Sequence, residues 1–157
     1  QKQRFATSII KLIGDKKNNP KVSVLGWAFK QNTNDSRESA SIYVTDILLK
    51  NKISVNVYDP LVPRDKIILD LTQLWLLQEL PKDKVDSLLK MIKVKDNYID
   101  AIKDSSLAAI LTEWEEFKTY DWRDLIKKMK NSSIVYDGRN ILPLQDKSIN
   151  LIKLGVK

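Results

Sequence analysis

Hydrophobic positions recur with two different periods along this chain. The N-terminal segment has apolar residues three and four positions apart, as on one face of a helix: Phe5, Ile9, Leu12 and Ile13. Gly14 follows the last of them and is a suitable residue to end the helix. We therefore predict a helix over residues 1–14 and, because residues 15–21 are polar, a linker after it.

Short apolar or alternating segments predict strands farther along. They lie at residues 22–25, 53–57, 91–94, 107–111 and 134–136. Between them the pattern predicts helices: residues 37–50, a helical insertion over 64–92, a short helix through Tyr98 and Ile102, and a helix that Asp121 caps. After Leu142 we expect a loop and a last short strand. Strands that alternate with helices predict an α/β fold, a Rossmann-like, doubly wound and mainly parallel sheet of five to six strands with helices on both faces.

Two helices can be described in more detail. Asp35 and Glu38 have capping-box spacing, which predicts that Asp35 caps the helix over residues 37–50. We expect that helix to bury Ala40, Tyr43, Val44, Ile47 and Leu48. In the insertion, the predicted apolar face comprises Ile67, Ile68, Leu71, Leu74, Trp75 and Leu77, with Trp75 in the core and a break at Pro81.

The candidate binding residues lie where the predicted strands end. The first strand runs into Gly26, Phe29 and Lys30, and Arg139 follows the fifth strand. Because the carboxyl ends of parallel strands share one edge of a sheet, we expect Lys30 and Arg139 to meet there. Two such cations suit a diphosphate, and Phe29 offers an apolar wall for a sugar or base. From spacing alone, exposed and functionally unimportant charges are an equally good interpretation.

Two further residues stand near that edge. Arg37 lies at the predicted helix start, where a cation is unfavourable, so we expect an anion nearby; a pair with Asp35 or Glu38 is the alternative. Asp59 ends the second strand, where dinucleotide folds place a ribose-binding carboxylate. Trp27, Ala28 and Phe29 replace the necessary glycines, however, so we predict only an Asp-Pro turn at Asp59.

The composition excludes several kinds of functional site. The 157 residues allow one domain with a substantial core, and no apolar run approaches the roughly 18 residues of a membrane span. The absence of Cys and His excludes a thiol nucleophile, an imidazole base and the usual zinc ligands, so we expect no metal site and favour a reducing, cytoplasmic compartment. The N-terminus has neither Met nor an apolar signal segment, and we expect a piece of a longer protein.

The net charge of +7 favours an anionic partner, whether nucleic acid, a membrane surface or a nucleotide phosphate. Nucleic-acid binding calls for a basic stripe interleaved with aromatic residues, whereas here the basic residues are scattered among 20 acidic ones. We therefore expect neither a nucleic acid nor a membrane as partner.

Four sequence blocks carry a resemblance to a known family. They are Gly26-x-Ala28-Phe29-Lys30-x-x-Thr33-x-Asp35-x-Arg37-Glu38-Ser39, Tyr58-Asp59-Pro60, Leu111-Thr112-Glu113-Trp114 with Phe117, and Tyr136-Asp137-Gly138-Arg139-Asn140. In this order they resemble the C-terminal, UDP-binding domain of the UDP-glucose/GDP-mannose dehydrogenases, with the UDP-glucose 6-dehydrogenases most alike. The resemblance covers roughly residues 1–142, and it departs at Trp27 and in the longer 64–92 insertion.

The resemblance implies an enzyme that oxidises UDP-glucose to UDP-glucuronate with two molecules of NAD. It implies that Phe29, Lys30 and Arg139 contact the UDP-sugar and that Arg37 reaches NAD, which is held mainly by another domain. The catalytic cysteine of the family is absent, so we expect no catalytic residue in this chain and no activity from it alone. Residues 1–14 would be the end of a central inter-domain helix and residues 22–157 the UDP-sugar-binding domain of a homo-oligomer.

Alternatives remain open at this point. The chain could be the same domain of a GDP-mannose or UDP-N-acetylhexosamine dehydrogenase. It could instead be a non-catalytic α/β binding module, although such a regulatory domain needs an acidic cluster after the first strand, which residues 26–30 lack.

Overall fold

The computed structural model describes residues 1–14, 19–131, 133–143 and 147–154. Within them the helices are α1 (Lys2–Ile13), α2 (Ala40–Lys50), α3 (Arg64–Leu77), α4 (Lys82–Leu89), α5 (Tyr98–Ile102), α6 (Glu115–Thr119) and α7 (Trp122–Lys127). The strands are β1 (Lys21–Leu25), β2 (Ser54–Tyr58), β3 (Ile92–Val94), β4 (Leu107–Ile110), β5 (Ile134–Asp137) and β6 (Leu151–Lys153).

The six strands form one sheet in the order β3-β2-β1-β4-β5-β6, and every neighbouring pair is parallel. This confirms the predicted α/β fold and the last short strand, although residues 144–146 and 155–157 of that C-terminal segment lie outside the described residues. The strand order reverses between β1 and β4, and a crevice opens at such a switch point beyond the carboxyl ends of the strands.

Helices cover both faces of the sheet, as predicted. Val24 is in register with Ala109, which is in register with Tyr136, and Phe5 of α1 packs edge-on against Tyr136 with ring centroids 5.8 Å apart. On the opposite face, the Asn56 amide donates a hydrogen bond of 3.3 Å to the Ala101 carbonyl in α5. The central strand β4 is buried on both sides, which explains its continuous apolar run.

The N-terminal helix packs on this domain. Phe5 and Ile9 are buried, Leu12 and Ile13 are partly buried, and α1 lies against α2. Gly14 has a φ of 68°, and its N–H bonds the Ile10 carbonyl at 3.2 Å, so the predicted helix end is confirmed. Residues 15–18 of the predicted linker lie outside the described residues, and an inter-domain role for α1 stays a prediction.

The predicted start of α2 was wrong. The helix begins at Ala40, and Ser39 is its N-cap, because the Ser39 hydroxyl accepts the Ser41 N–H at 3.2 Å. Glu38 has a φ of 58°, a left-handed conformation that interrupts the capping box predicted from Asp35.

The predicted inward face of α2 was also only partly right. Val44 and Leu48 are buried, but Ala40, Tyr43 and Ile47 are only partly covered. Additional buried positions lie around the helix: Ser41, Ile42, Thr45, Asp46 and Leu49. Because α2 contacts β2, α1 and α3, it is covered on more than one side.

The predicted insertion comprises α3, α4 and the start of β3. Trp75 is fully buried, as predicted, and its indole N–H donates to the Asp46 carboxylate at 2.8 Å. Leu77 was wrongly assigned to the buried face, since it is 82% exposed in the last turn of α3. Tyr98 begins α5, and the predicted Asp121 cap is confirmed by its bond from the Asp124 N–H.

Candidate functional site

The candidate site lies at the carboxyl ends of three neighbouring strands. Phe29 and Lys30 follow β1, Glu113 follows β4, and Arg139 follows β5. Since β4 lies between β1 and β5, Glu113 stands between the two segments that carry the predicted cations. This is the side of the sheet where the strand order reverses, the usual position for ligands in open α/β sheets.

One carboxylate joins both sides of this rim. Oε1 of Glu113 accepts the Gln31 N–H at 3.2 Å, and Oε2 forms an ion pair with Nη2 of Arg139 at 2.5 Å. The turn that carries Lys30 and the side chain of Arg139 therefore contact the same group, although they are more than a hundred residues apart in sequence. The two segments share one rim, as predicted, and Glu113, which was not among the predicted site residues, makes the connection.

Phe29 and Lys30 face outward from the rim. Phe29 is 43% exposed, and the Lys30 ammonium lies 5.4 Å from the centroid of its ring. Across the described parts of the chain, no carboxylate lies within ion-pair distance of Lys30. An exposed aromatic ring beside an unpaired cation can cover an apolar ring and attract a negative charge.

Asp59 fixes the turn from which these side chains project. Its Oδ2 accepts the N–H groups of Trp27 and Ala28 at 2.6 and 3.0 Å and the indole N–H of Trp114 at 3.1 Å. Its Oδ1 accepts the N–H groups of Leu61 and Val62, each at 2.8 Å. The predicted Asp-Pro turn is confirmed, but the same carboxylate also ties the ends of β1 and β4 together.

A second aspartate shapes the Arg139 side. Asp137, fully buried at the end of β5, accepts the Arg139 N–H at 3.2 Å and the Leu142 N–H at 2.7 Å. Gly138 lies against Phe5, and a methyl group added there would approach Cε1 of that ring to 2.6 Å. Helix α1 therefore closes over the backbone that carries Arg139 and leaves no room for a larger residue at position 138.

Helix α3 of the insertion holds the turn that carries Lys30 through hydrogen bonds. Trp27 is fully buried, and its indole N–H donates to Asp70 of α3 at 2.9 Å. The Ser36 hydroxyl donates to the same Asp70 oxygen at 2.5 Å, and Lys66 pairs with the other oxygen at 2.6 Å. Asp70 thus holds both ends of the 27–36 turn. Trp27 packs in the core.

Arg37 is placed differently from the sequence prediction. It precedes α2 instead of lying in its first turn, and its guanidinium pairs with Asp35 at 2.8 Å, the alternative weighed from sequence. Asp35 caps no helix, because it accepts the Arg37 guanidinium and its N–H. These hydrogen bonds, the guanidinium's first, lower the pKa of the Asp35 carboxyl to about 2. Arg37 remains highly exposed, with 85% of its side chain open to solvent.

Comparison with known proteins identifies the family. Residues 23–144 match the UDP binding domain of the UDP-glucose/GDP-mannose dehydrogenase family. The chain belongs to this family. The chain therefore corresponds to the C-terminal, UDP-binding domain of these dehydrogenases.

Relatives from two kingdoms agree with this assignment. The chain is 33% identical over 142 residues to the UDP-glucose 6-dehydrogenase of Bos taurus, an alignment that covers 90% of this chain and 28% of the relative. It is 35% identical over 148 residues to UDP-glucose 6-dehydrogenase 2 of Arabidopsis thaliana, covering 92% of this chain and 31% of that protein. The chain thus spans under a third of the length of these curated relatives.

Solved structures of this dehydrogenase family share the fold. A UDP-N-acetyl-mannosamine dehydrogenase from S. aureus matches with a TM-score of 0.69 at 23% identity, over 97% of this chain and 29% of that one. A UDP-glucose dehydrogenase from the archaeon Pyrobaculum islandicum matches with a TM-score of 0.63 at 22% identity, over 96% of this chain and 29% of its own.

The UDP-binding domain has no dinucleotide cradle after β1. In a glycine-rich fingerprint, free backbone N–H groups after the first strand face a pyrophosphate. Here the N–H groups of Trp27 and Ala28 are already bonded to Asp59. In the part of the chain that the structure describes, no three acidic side chains gather as a metal site would require, and none of its helices could cross a membrane.

Two residues that organise this site, Glu113 and Asp70, were not among the predicted site residues. Glu113 lies within the quoted Leu111-Thr112-Glu113-Trp114 block directly after a buried strand, which was a usable signal. The signal from Asp70 was weaker, because it is one of two aspartates in α3 and only its place beside the apolar positions sets it apart.

Proposed function

We propose that this chain is the C-terminal domain of a UDP-glucose 6-dehydrogenase and that it holds the UDP half of the substrate at the rim formed by β1, β4 and β5. The named relatives support the choice of UDP-glucose, because both sequence matches reported above are UDP-glucose 6-dehydrogenases. The reaction, oxidation to UDP-glucuronate with NAD, would belong to the full-length protein and its homo-oligomer.

The observation that carries the proposal is the shared contact of Glu113 with the Lys30 turn and Arg139. In the proposed complex, Lys30 supplies a mobile point charge and Arg139 a planar pair of donors to the diphosphate. Phe29, exposed beside Lys30, would cover the sugar or the base. Each of these roles uses a side chain, in keeping with the occupied backbone N–H groups after β1.

NAD would be held mainly by residues outside this chain. When bound, it accepts the hydride removed from the sugar alcohol. Arg37 is the residue proposed to reach it, and its high exposure fits such contact. The guanidinium would have to share or leave Asp35, and the lowered pKa of Asp35 means that this competing carboxylate stays charged at neutral pH.

The composition supports a separation between nucleotide binding by this chain and catalysis by residues outside it. Without Cys or His, this chain supplies neither a thiol nucleophile nor an imidazole base, so the proposed oxidation depends on residues elsewhere in the longer protein. The chain's own contribution would be to orient the nucleotide and exclude water when the cleft closes. We expect no oxidation of UDP-glucose by the 157-residue chain with NAD, and turnover by this chain would contradict this separation.

Calorimetric titration of the chain with UDP tests the site. We expect Lys30→Gln and Arg139→Gln each to weaken UDP binding about tenfold, because each removes a charge-assisted contact worth roughly 1.5 kcal/mol. Lys84→Gln is the matched control, since Lys84 is exposed on α4, away from the rim. Equal affinities for wild type, Lys30→Gln and Arg139→Gln would exclude this rim as the UDP site.

Glu113 supplies a second and sharper test. A diphosphate that binds Arg139 must displace the Glu113 carboxylate or share the guanidinium with it, and the two negative charges repel each other. Glu113→Gln retains the shape and an oxygen for the Gln31 N–H but removes the charge, so we expect UDP to bind about three- to tenfold more tightly. Weaker binding by Glu113→Gln would mean that Arg139 needs its carboxylate partner more than it is hindered by it.

A related substrate is the alternative within the same family. The S. aureus neighbour is a UDP-N-acetyl-mannosamine dehydrogenase, but at 23% identity it supports only the fold. Comparing UDP with GDP in the same titration separates the bases, and comparing UDP-glucose with GDP-mannose and a UDP-N-acetylhexosamine as substrates of the full-length protein separates the sugars. Preference for GDP would overturn the assignment to UDP-glucose.

A further inference from the structure

A second concentration of positive charge lies away from the proposed UDP site. It surrounds a groove of about 200 Å³ on the face of the sheet that also carries α5. We call it the lysine groove, and its principal lining residues are Lys21, Ser54, Asn56, Lys90, Lys93 and Lys95.

Strand register explains why these side chains meet. Lys21 of β1 is aligned with Ser54 of β2, and Asn56 of β2 is aligned with Lys93 of β3. Aligned residues, and residues two apart on one strand, point to the same face of a parallel sheet. Strands about 4.8 Å apart with a rise of about 3.3 Å per residue put the Cα atom of Lys21 about 12 Å from that of Lys93 and about 16 Å from that of Lys95. All three residues lie on one side of the sheet, and their long side chains line the same groove. Lys90, just before β3, closes the groove at one end.

The lysine groove is not neutralised by ion pairs. Across the described residues, none of its four lysines lies within ion-pair distance of a carboxylate. Burial lowers the pKa of Lys21; among nearby charges, Asp104 raises this pKa most, and Lys93, Lys95 and Lys130 each lower it. The cluster therefore carries net positive charge on a partly buried surface, which a bound anion would stabilise.

Protection of the sheet edge accounts for only part of the cluster. Lysines on an edge strand discourage pairing with another sheet, and Lys93 and Lys95 belong to or follow the edge strand β3. Lys21, however, starts the central strand β1 and is partly buried, where it protects no edge.

We propose that the lysine groove binds a small polyvalent phosphate anion, such as pyrophosphate. A cavity of about 200 Å³ exceeds the roughly 30 Å³ share of one water molecule and admits a polyatomic anion. The ammonium groups supply charge, and the hydroxyl of Ser54 and the amide of Asn56 supply neutral donors. Nucleic acid fits less well, because no aromatic residue lines the groove for a base to stack on.

Titration of the ¹⁵N-labelled chain with sodium pyrophosphate at constant ionic strength tests this inference. We expect amide shifts at residues 21, 54–56 and 93–95. The double variant Lys93→Gln/Lys95→Gln should raise the dissociation constant obtained from these shifts about tenfold or more, since it removes two of the groove's four positive charges. Lys82→Gln/Lys84→Gln removes the same charge from exposed positions of α4 and should change the constant less than twofold.

A third variant keeps this site distinct from the UDP site. Lys30→Gln/Arg139→Gln should leave the pyrophosphate shifts at residues 21, 54–56 and 93–95 unchanged, while Lys93→Gln/Lys95→Gln should leave UDP affinity unchanged. Shifts confined to residues 29–31 and 138–139 would overturn the inference. So would equal weakening by the α4 control, because the response would then reflect total charge alone. Thermal unfolding of each variant verifies that it is folded.

Discussion

Asp59→Asn is the substitution that most directly tests how the candidate site is built. The carboxylate of Asp59 accepts five N–H groups, three on one oxygen and two on the other. An amide has nearly the same shape but presents hydrogen atoms on one side. Its best orientation keeps the oxygen toward Trp27, Ala28 and Trp114 and turns the NH₂ group toward the N–H groups of Leu61 and Val62.

The expected loss follows from those two orphaned donors. Val62 is only 3% exposed, so its N–H has little access to water, whereas Leu61 is 52% exposed and can be partly solvated. At about 1–3 kcal/mol for a buried unsatisfied donor, we expect Asp59→Asn to reduce the free energy of unfolding by about 2–4 kcal/mol. For a domain of this length, that lowers Tm by roughly 5–15 °C.

Urea unfolding followed by tryptophan fluorescence, with thermal unfolding followed by circular dichroism, measures this change. Asp96→Asn is the control: Asp96 is exposed, and we expect a change within about 0.5 kcal/mol. A loss of less than about 1 kcal/mol for Asp59→Asn, with an unchanged dependence on urea, would refute the view that this carboxylate holds the turn together.

Three further perturbations test separate parts of the structure. Gly138→Ala should destabilise the chain by about 2–3 kcal/mol in urea unfolding, because the new methyl group collides with Phe5; a change near zero would contradict the close packing. Arg37→Gln should raise the pKa of the Asp35 carboxyl from about 2 toward the ordinary value of about 3.9, as measured by ¹³C NMR. In the wild type, the stability from this pair is present above about pH 4 and is lost as the pH falls to about 2, and the variant should not show this loss. Burial, followed by a neighbouring glutamate, raises the pKa of Tyr58 to about 12, so its contribution to stability is present below about pH 10 and declines toward pH 12. Tyr58→Phe should flatten that alkaline decline in urea midpoints, and an identical decline would contradict the assignment.

The parts of the fold that the sequence predicts are those where burial leaves a periodic signal. Strand β4 and residues 22–25 of β1 are buried on both faces, and both strands are found where the pattern indicates. That the segments carrying Lys30 and Arg139 share one rim also followed without any contact information. It required only that the strands be parallel and the ends of β1 and β5 lie close together.

Local signals failed where several residues compete for one role. Asp35 and Ser39 are both good N-cap residues, and the sequence offers no means to rank them. The structure selects Ser39, with Asp35 bonded to Arg37 and the Ser41 hydroxyl bonded to the Gly26 carbonyl at 2.7 Å. The choice depends on a contact between α2 and the end of β1, which no window of neighbouring residues contains.

Carboxylates with distant partners were the hardest feature to predict. Asp70 and Glu113 look like ordinary surface acids in the sequence, yet each bonds groups more than thirty positions away. Hydrophobic periodicity indicates which residues are covered, but it carries no information about which donor a covered carboxylate accepts. Such partners become visible only when distant segments are brought together.

The carboxylates also explain why the proposed diphosphate site would be built from side chains. Asp59, Glu113 and Asp137, at the ends of β2, β4 and β5, each accept backbone N–H groups from the rim. Those N–H groups are the donors that a glycine-rich turn would leave free for a phosphate. With them occupied, recognition in the proposed complex would come from Lys30 and Arg139, whose charges act over a longer range and whose side chains would move with a closing cleft. The same acids that make the rim rigid also oppose an incoming diphosphate, so we expect weak binding by this chain alone and tighter binding where the remaining substrate contacts are supplied from outside it.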